Sequence, residues 1–254
     1  MNAPPAWFGD AKLGIFVHWG IFAVPAFAPR GRTIAEIMRA RPDDGWAHLP
    51  YTEWYANSIR FPDSEAARHH AAVHGNRPYA DFRAEFDRAA EAFDAAAWAD
   101  LFAEAGARYA VLVTKHHDGY CLWPTDVPHP HRPGWHARRD FVGELGQAVR
   151  ARGLTFGTYY SGGLDWTFRH VPIATFGDMM ACVPFEDDYR AYALAQYREL
   201  IERYGPEVLW NDIAYPDAGD RDRLFDLFRA ARPQGVVNDR WTASRLARQD
   251  VQQN

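Results

Sequence analysis

Cysteine, long hydrophobic runs and basic clusters are scarce in this sequence, and each scarcity excludes a class of protein. The two cysteines, Cys121 and Cys182, form neither a CxxC motif nor a disulfide framework, as in proteins of a reducing compartment. No hydrophobic run approaches the roughly 20 residues that a membrane helix needs. The net charge is −5 and the positive residues are scattered. We therefore expect neither a membrane partner nor a nucleic-acid partner.

Signals for secretion and for nucleotide binding are also missing. The first ten residues contain neither a basic n-region nor an apolar h-region, so we expect a cytoplasmic protein. No predicted strand is followed by a GxGxxG or GxxxxGK[ST] motif, which disfavours dinucleotide and P-loop proteins. We expect no cofactor, and a homo-oligomer stays open because the sequence does not determine the oligomeric state.

Aromatic residues, in contrast, are abundant, at 15% of the chain with 10 tryptophans. Aromatic faces pack well on other apolar faces, including those of sugar rings. The hydrophobic share of 48% and the charged share of 24% are ordinary for a globular domain. The composition therefore fits a carbohydrate ligand and a tryptophan-rich core equally well.

Short apolar segments alternate with longer amphipathic segments along most of the chain. The apolar segments predict five strands, at 14–17, 110–114, 154–160, 208–210 and 236–237. Asp94 and Asp140 are placed to cap helices that Gly106 and Gly153 would end. A further helix is predicted at 189–204.

This alternation predicts a parallel sheet covered on both faces, and hence an α/β fold of the (β/α)8 TIM-barrel type. Residues 1–254 would form the catalytic domain, and the region from about Pro25 to Pro78 would be a long, irregular active-site loop. A closed barrel of this type needs eight strands. Because five are predicted, we expect the barrel to be truncated before its last strands.

Polar residues follow the C-terminal end of every predicted strand. They are His18; His116, His117 and Asp118; Tyr159, Tyr160 and Ser161; Asn211 and Asp212; and Asn238, Asp239 and Arg240. Active sites of parallel barrels are built at this edge. The clusters therefore predict an active site there.

Two of these clusters have competing interpretations. Asp212 follows Trp210 at a strand end, which suits a glycosidase nucleophile, but an aspartate there is also a common helix N-cap. His116 and His117 could bind a metal or hydrogen-bond sugar hydroxyls, although adjacent histidines lack the HxH spacing with which one strand directs two ligands inward. A separate group at helical spacing is predicted to be a solvated helix face: His69, His70 and His74.

Six segments together resemble the alpha-L-fucosidase family of retaining glycoside hydrolases, in the family's order and over nearly the whole chain. They are WF at 7–8 with KLGIFVHWG at 12–20, EWY at 53–55, TKHHDGY at 114–120, YYSGGLDW at 159–166, LWND at 209–212 and VNDRW at 237–241. The FVHWG and KHHDGY segments are the most specific. The resemblance implies an exo-glycosidase that acts on fucosylated glycans or glycosides.

The resemblance also implies roles for individual residues. Asp212 would be the nucleophile that forms the covalent glycosyl-enzyme. Residues that would contact the sugar are His18, Glu53, Trp54, His116, His117 and Arg240. An apolar pocket for the C6 methyl group of fucose would consist of Phe16, Tyr159 and Trp210. No metal is expected.

The second carboxyl of a retaining enzyme, the acid/base, is where the sequence departs from the family. The family supplies it from a glutamate after the segment at 237–241, but this sequence has no glutamate after Glu207, and its tail offers only Asp250. We expect the acid/base to lie beyond Asn254 and the chain to be a fragment. Two alternatives stay open: a metal-dependent barrel hydrolase using His116, His117 and Asp212, and a fucose-binding module without catalysis.

Overall fold

The computed structural model describes residues 4–242, and within them one parallel sheet organises the chain. Its strands lie side by side in chain order. They are β1 (Gly14–Val17), β2 (Tyr109–Lys115), β3 (Thr155–Tyr160), β4 (Val208–Asn211) and β5 (Val236–Val237). Every neighbouring pair is parallel. The five predicted strands are confirmed, and their C-terminal ends lie along one edge, as in barrels of this class.

Helices connect and cover the strands. They are α1 (Ala6–Ala11), α2 (Ile34–Ala40), α3 (Tyr55–Ser58), α4 (Glu65–His74), α5 (Phe82–Ala89), α6 (Ala95–Glu104), α7 (Phe141–Ala151), α8 (Phe176–Ala181), α9 (Asp187–Glu199) and α10 (Ala218–Ala231). Among the residues described, no helix is both long and apolar enough to cross a bilayer.

The helix boundaries follow the predicted capping residues. The side chains of Asp94 and Asp140 accept hydrogen bonds from the backbone N–H three residues later, which begins α6 and α7. Gly106 and Gly153 adopt positive φ angles of 82° and 73° just after these helices, where L-residues are strained. The helix predicted at 189–204 consists of α9 and a π-helical turn, Leu200–Tyr204.

Both faces of the central strands are buried, which explains why their sequences show no alternation. On one face, side chains join the main core beneath the helices: Ala110, Leu112, Phe156 and Leu209. On the opposite face, a smaller cluster is formed: Val111, Val113, Tyr159 and Val208. Trp7 of α1 packs on the second cluster, and its indole N–H donates to the carbonyl of Gln234. This second face points toward the side on which a barrel would enclose its interior.

Two predictions about the secondary structure of the first part of the chain are wrong. The region from Pro25 to Pro78 is not irregular, because it contains α2, α3 and α4. Thr33 and Glu36 form a reciprocal capping box that begins α2, and Ser64 caps α4. The segment 14–17 is a strand but not a buried one, since β1 lies at an edge of the described sheet and Phe16 keeps 36% of its surface exposed.

The histidines of α4 do not form a solvated face. His70 is buried, its Nδ1 lies 2.8 Å from the hydroxyl of Tyr55, and its Nε2 lies 2.8 Å from the carbonyl oxygen of Arg77. His69 stacks on Phe27 with ring centroids 3.9 Å apart. These two histidines instead hold α4 against Tyr55, Arg77 and Phe27.

Candidate active site

The carboxylate of Asp212 lies just past the end of β4 and accepts hydrogen bonds on both oxygens. Oδ1 receives the Arg240 guanidinium, with Nε at 2.7 Å and Nη2 at 2.6 Å, and the backbone N–H of Ile213 at 3.0 Å. Oδ2 receives the Tyr159 hydroxyl at 2.8 Å. Burial and the neighbouring carboxylate hold the pKa of Tyr159 well above its usual range, so this phenol keeps its proton and donates.

The turn that carries Asp212 has a strained backbone. Ile213 and Ala214 adopt positive φ angles of 55° and 64°, which a β-branched residue rarely does. The fully buried Asn211 stabilises this turn, because its amide N–H donates to the carbonyl oxygens of Ala214, at 2.6 Å, and Arg240, at 3.2 Å. Asn211 thus ties the nucleophile candidate to the segment that supplies its guanidinium partner.

The loop after β3 approaches this turn so closely that it requires glycine. A Cβ atom on Gly163 would overlap the carbonyl oxygen of Ile213, and one on Gly162 would overlap the Asn211 side chain. The backbone N–H of Gly163 donates to the carbonyl of Asp212 at 3.0 Å. The two glycines therefore allow the ends of β3 and β4 to meet.

Three aromatic side chains form an apolar corner beside Asp212. The Phe16 ring lies edge-to-face on Trp210, with centroids 5.1 Å apart, and on Tyr159, with centroids 5.8 Å apart. Such contacts fix ring orientation. The corner is open on one side, because Phe16 is partly exposed.

His18, Glu53 and His116 form a polar cluster on the other side of Tyr159. Nδ1 of His18 lies 2.9 Å from Oε1 of Glu53. The His116 ring stacks parallel to Tyr159 at 5.6 Å and lies 5.7 Å from the His18 ring. Burial favours the protonated Glu53 carboxyl, but the hydrogen bond with His18 and the nearby histidines outweigh it and lower its pKa to about 2. Glu53 is therefore ionised at neutral pH.

His116 differs from its neighbours in having an unsatisfied atom. Burial, with smaller electrostatic contributions from His117 and His18, holds the pKa of His116 well below its usual range, so the ring is neutral. Its Nδ1 is buried and has no hydrogen-bond partner among the described residues. Such an atom is costly unless a ligand satisfies it.

His117 is anchored by contacts to three side chains. Its ring packs edge-on against Trp54 at 5.3 Å and against Trp166 at 5.5 Å. Its Nδ1 lies 2.6 Å from the hydroxyl oxygen of Ser161. The structure thus brings all ten predicted site residues into one connected group, and it adds Ser161 and Asn211, which the sequence marks only as polar residues at strand ends.

A buried ion pair lies behind the histidines. Nζ of Lys115 lies 2.6 Å from Oδ2 of Asp165, and both side chains are fully buried. The ammonium also lies 4.2 Å from the centroid of the Tyr160 ring. Asp165 accepts further hydrogen bonds from the backbone and hydroxyl of Thr167, whose oxygen also contacts Nε2 of His129 at 2.6 Å. Sequence reasoning missed this pair, although a lysine at the end of an apolar strand is a signal that it needs a partner.

Asp118 belongs to the predicted cluster after β2 but binds protein groups. Its carboxylate accepts from the Tyr79 hydroxyl at 2.7 Å and from the backbone N–H of Tyr120 at 3.1 Å. Burial raises its pKa to about 6 in spite of these hydrogen bonds. Asp118 therefore stabilises the structure around the site, because its carboxylate is already bound to protein groups.

Two clusters among the described residues have the donor types for a metal ion. The ligand atoms of His18, Glu53 and His116 lie within 4.8 Å of one another, as do those of a second trio: Asp44, His48 and Asp63. In the second trio, the Arg41 guanidinium already pairs with both carboxylates. The first trio is the better match to metal-site chemistry.

Comparisons with known proteins agree with this geometry. The family model for alpha-L-fucosidase matches residues 1–254. The bovine tissue alpha-L-fucosidase is 34% identical over 93% of this chain and 46% of its own length, and the human plasma alpha-L-fucosidase is 32% identical over 96% and 48%. The chain therefore spans about half the length of these curated relatives.

Solved structures give the same result. The Thermotoga maritima alpha-fucosidase in complex with fucose superposes with a TM-score of 0.82 at 41% identity, covering 94% of this chain and 54% of that one. A Lactobacillus casei alpha-L-fucosidase in complex with its alpha-L-fucose product superposes with a TM-score of 0.62 at 25% identity, covering 93% and 69%. The chain belongs to the alpha-L-fucosidase family.

Proposed function

We propose that the protein hydrolyses alpha-L-fucosyl linkages with retention of configuration, through a covalent glycosyl-enzyme on Asp212. The observation that carries this proposal is that the two carboxylate oxygens of Asp212 differ in how many protein donors contact them. Oδ1 accepts the N–H groups of Arg240 Nε and Ile213 and lies 2.6 Å from Arg240 Nη2, whereas Oδ2 accepts, among residues 4–242, only the Tyr159 hydroxyl. Oδ2 keeps a lone pair for attack on the anomeric carbon.

Recognition of fucose would divide between the two sides of Tyr159. The apolar corner of Phe16, Tyr159 and Trp210 suits the C6 methyl group, whose burial contributes about 1 kcal/mol. The unsatisfied Nδ1 of His116 and the ionised Glu53 are suited to sugar hydroxyls. A glycone with a hydroxyl at C6 would place that group against aromatic rings without a partner.

The acid/base stays a prediction, and Asp250, the acidic residue of the tail, lies outside the described residues. Glu53 is poorly suited to this role. A general acid must carry a proton at the working pH, and a carboxyl whose pKa is lowered to about 2 does not. We assign Glu53 to hydroxyl recognition together with His18.

The decisive experiment is Asp212→Ala in the full-length protein, assayed with an aryl alpha-L-fucoside. Activity should fall by at least about 10³-fold, because the nucleophile is lost. Azide should restore turnover by occupying the space of the carboxylate. The matched control is Asp140→Ala, which removes an aspartate that also accepts from a tyrosine and an arginine, Tyr204 and Arg203, away from the site.

The outcome that contradicts the assignment is equally clear. If Asp212→Ala retains more than a tenth of wild-type activity, Asp212 is not the nucleophile. If wild-type protein binds fucose but turns over no aryl fucoside, a binding module is the better description. The first product should be the alpha anomer, which proton NMR of the fresh reaction detects, and a beta product would exclude retention.

A metal-dependent hydrolase is the competing function, since His18, Glu53 and His116 offer three ligand atoms within 4.8 Å. This trio differs from the one predicted from sequence, because Nδ1 of His117 contacts Ser161 and Asp212 pairs with Arg240. Dialysis against EDTA should leave fucosidase activity unchanged. A loss that zinc restores would favour the metallohydrolase.

A further inference from the structure

The Ser161 hydroxyl lies between the His117 ring and a backbone carbonyl. Its Oγ is 2.6 Å from Nδ1 of His117 and 2.6 Å from the carbonyl oxygen of Leu164. Ser161 is fully buried and His117 nearly so. Because a carbonyl oxygen can only accept, the single hydroxyl hydrogen of Ser161 is used by Leu164.

This arrangement determines which ring nitrogen of His117 carries the proton. The hydroxyl oxygen presents a lone pair to the ring, so Nδ1 must donate. Burial, with smaller electrostatic contributions from His18, Arg240 and Lys115, holds the pKa of His117 well below its usual range, and the ring carries only one proton. Nε2 is therefore left with a lone pair. The other tautomer would set two lone pairs against each other in a buried site.

We infer that Ser161 is a positioning residue that fixes His117 as the Nδ1–H tautomer, so that Nε2 accepts a hydrogen bond from a substrate hydroxyl. The inference rests on the proposed function, since it concerns how the same site selects its sugar. The inference specifies the direction of this hydrogen bond: the sugar hydroxyl that contacts His117 must donate. A group that can only accept, such as fluorine, does not satisfy this nitrogen.

The geometry of the loop supports a dedicated role for Ser161. The Leu164 carbonyl is presented by the same turn, three residues later, so the acceptor is built into the loop. Gly162 and Gly163 between them fit against the turn of Asp212. The segment that sets the His117 tautomer is thus the segment that contacts the nucleophile's backbone.

The first test is direct observation of the tautomer in the full-length protein. Long-range ¹⁵N–¹H correlation spectra report which imidazole nitrogen is protonated, and His117→Asn identifies the His117 signals. We expect a protonated Nδ1 in the wild type and a loss of this single state in Ser161→Ala. A protonated Nε2 in the wild type would overturn the inference. This measurement does not depend on turnover, so its failure is distinct from failure of the proposed function.

The second test measures the direction of the hydrogen bond. Calorimetry would compare fucose with its deoxyfluoro analogues at C2, C3 and C4. One analogue should bind wild type roughly five-fold more weakly than fucose, the effect of losing one donated hydrogen bond. In Ser161→Ala that ratio should approach one, because Nε2 can then carry the proton. An unchanged ratio would overturn the inference.

A matched control separates this role from simple loss of a buried hydroxyl. Ser64 is also buried, and its hydroxyl donates to the Ser58 carbonyl at 2.7 Å and accepts from the Ala67 N–H at 2.9 Å. Ser64→Ala should leave the fluoro-sugar ratio and the His117 spectrum unchanged. If Ser161→Ala does not fold, Ser161→Thr serves instead: it keeps the hydroxyl and should retain both wild-type signatures, and their loss in folded Ser161→Thr would contradict the inference.

Discussion

The two sides of the site differ in how far the protein itself satisfies the polar groups. On the β2–β3 side, Lys115, His117, Ser161 and Asp165 are almost fully buried and are bonded to one another or to backbone. The residues that follow β1, β4 and β5 form the second part of the site, called the open side here, where the side chain of His18 keeps 37% of its surface exposed. Asp212 and Arg240 also retain exposed surface there, at 14% and 25%.

This difference indicates a division of labour within the site. Groups on the buried side are oriented before any ligand arrives, because their hydrogen bonds are internal and water is excluded. Groups on the open side keep exposed surface, which the proposed sugar would cover. His116 lies at the boundary, buried yet with one nitrogen unsatisfied. The comparison predicts that mutations on the buried side cost stability first, and mutations on the open side cost recognition.

The largest effect is expected from breaking the buried ion pair. Lys115→Met leaves the Asp165 carboxylate buried without its cation, so the free energy of unfolding should fall by roughly 3–5 kcal/mol. The matched control is Arg152→Met, which breaks a partly exposed pair with Asp100 and should cost below about 1 kcal/mol. Urea unfolding of both variants measures the contrast. Equal losses of unfolding free energy in the two variants would contradict the expected difference between buried and exposed ion pairs.

A pH-dependent change of about 3 kcal/mol or less in the free energy of unfolding is expected from Asp118. Burial raises the pKa of this carboxyl to about 6. In the unfolded chain this carboxyl ionises near its ordinary value, while the folded protein keeps the proton. Its contribution to stability is therefore full below about pH 4 and is lost as the pH rises through about 6. Asp118→Asn should remove this loss, and unfolding free energies at pH 4 and pH 7 check it.

Tyr79→Phe sharpens the Asp118 test. The Tyr79 hydroxyl donates to the Asp118 carboxylate and favours its ionised form, so its removal should raise the pKa of Asp118 further and extend the pH-dependent loss to higher pH. A Tyr79→Phe profile that shifts to lower pH would contradict the assigned cause.

The strand ends were predictable from the sequence, whereas the contacts between them were not. Apolar runs identify buried strands, and parallel strands in one sheet bring their C-terminal ends together, so His116 and Asp212 could be assigned to one edge. The Ser161–His117 and Lys115–Asp165 contacts depend on loop backbone and side-chain rotamers. No spacing rule encodes them, because their partners are 44 and 50 residues apart in the chain.

The helices between Pro25 and Pro78 were missed for a different reason. They are short, and α2 and α4 begin at capping residues, Thr33 and Ser64, that the composition of the region obscured. Isolated helices of this length are marginal, so their formation depends on tertiary packing more than on sequence pattern. The position of Trp54 beside His117 follows from that packing.

The smallest effect is expected on the open side, at Phe16. Phe16→Ala removes one wall of the apolar corner while Trp210 and Tyr159 remain, so kcat/KM for an aryl alpha-L-fucoside should fall about five-fold, equivalent to about 1 kcal/mol. The matching pyranoside that lacks C6 has no methyl group to lose contact, so its kcat/KM should change little. Stability should change little as well, because Phe16 is already 36% exposed.

Phe185→Ala, at a phenylalanine that is 64% exposed and stacked with Arg169, is the control for removing an aromatic surface. If Phe16→Ala lowers kcat/KM for both glycosides equally, the aromatic corner does not recognise the methyl group. The open side would then position the substrate in general and would not select the glycone.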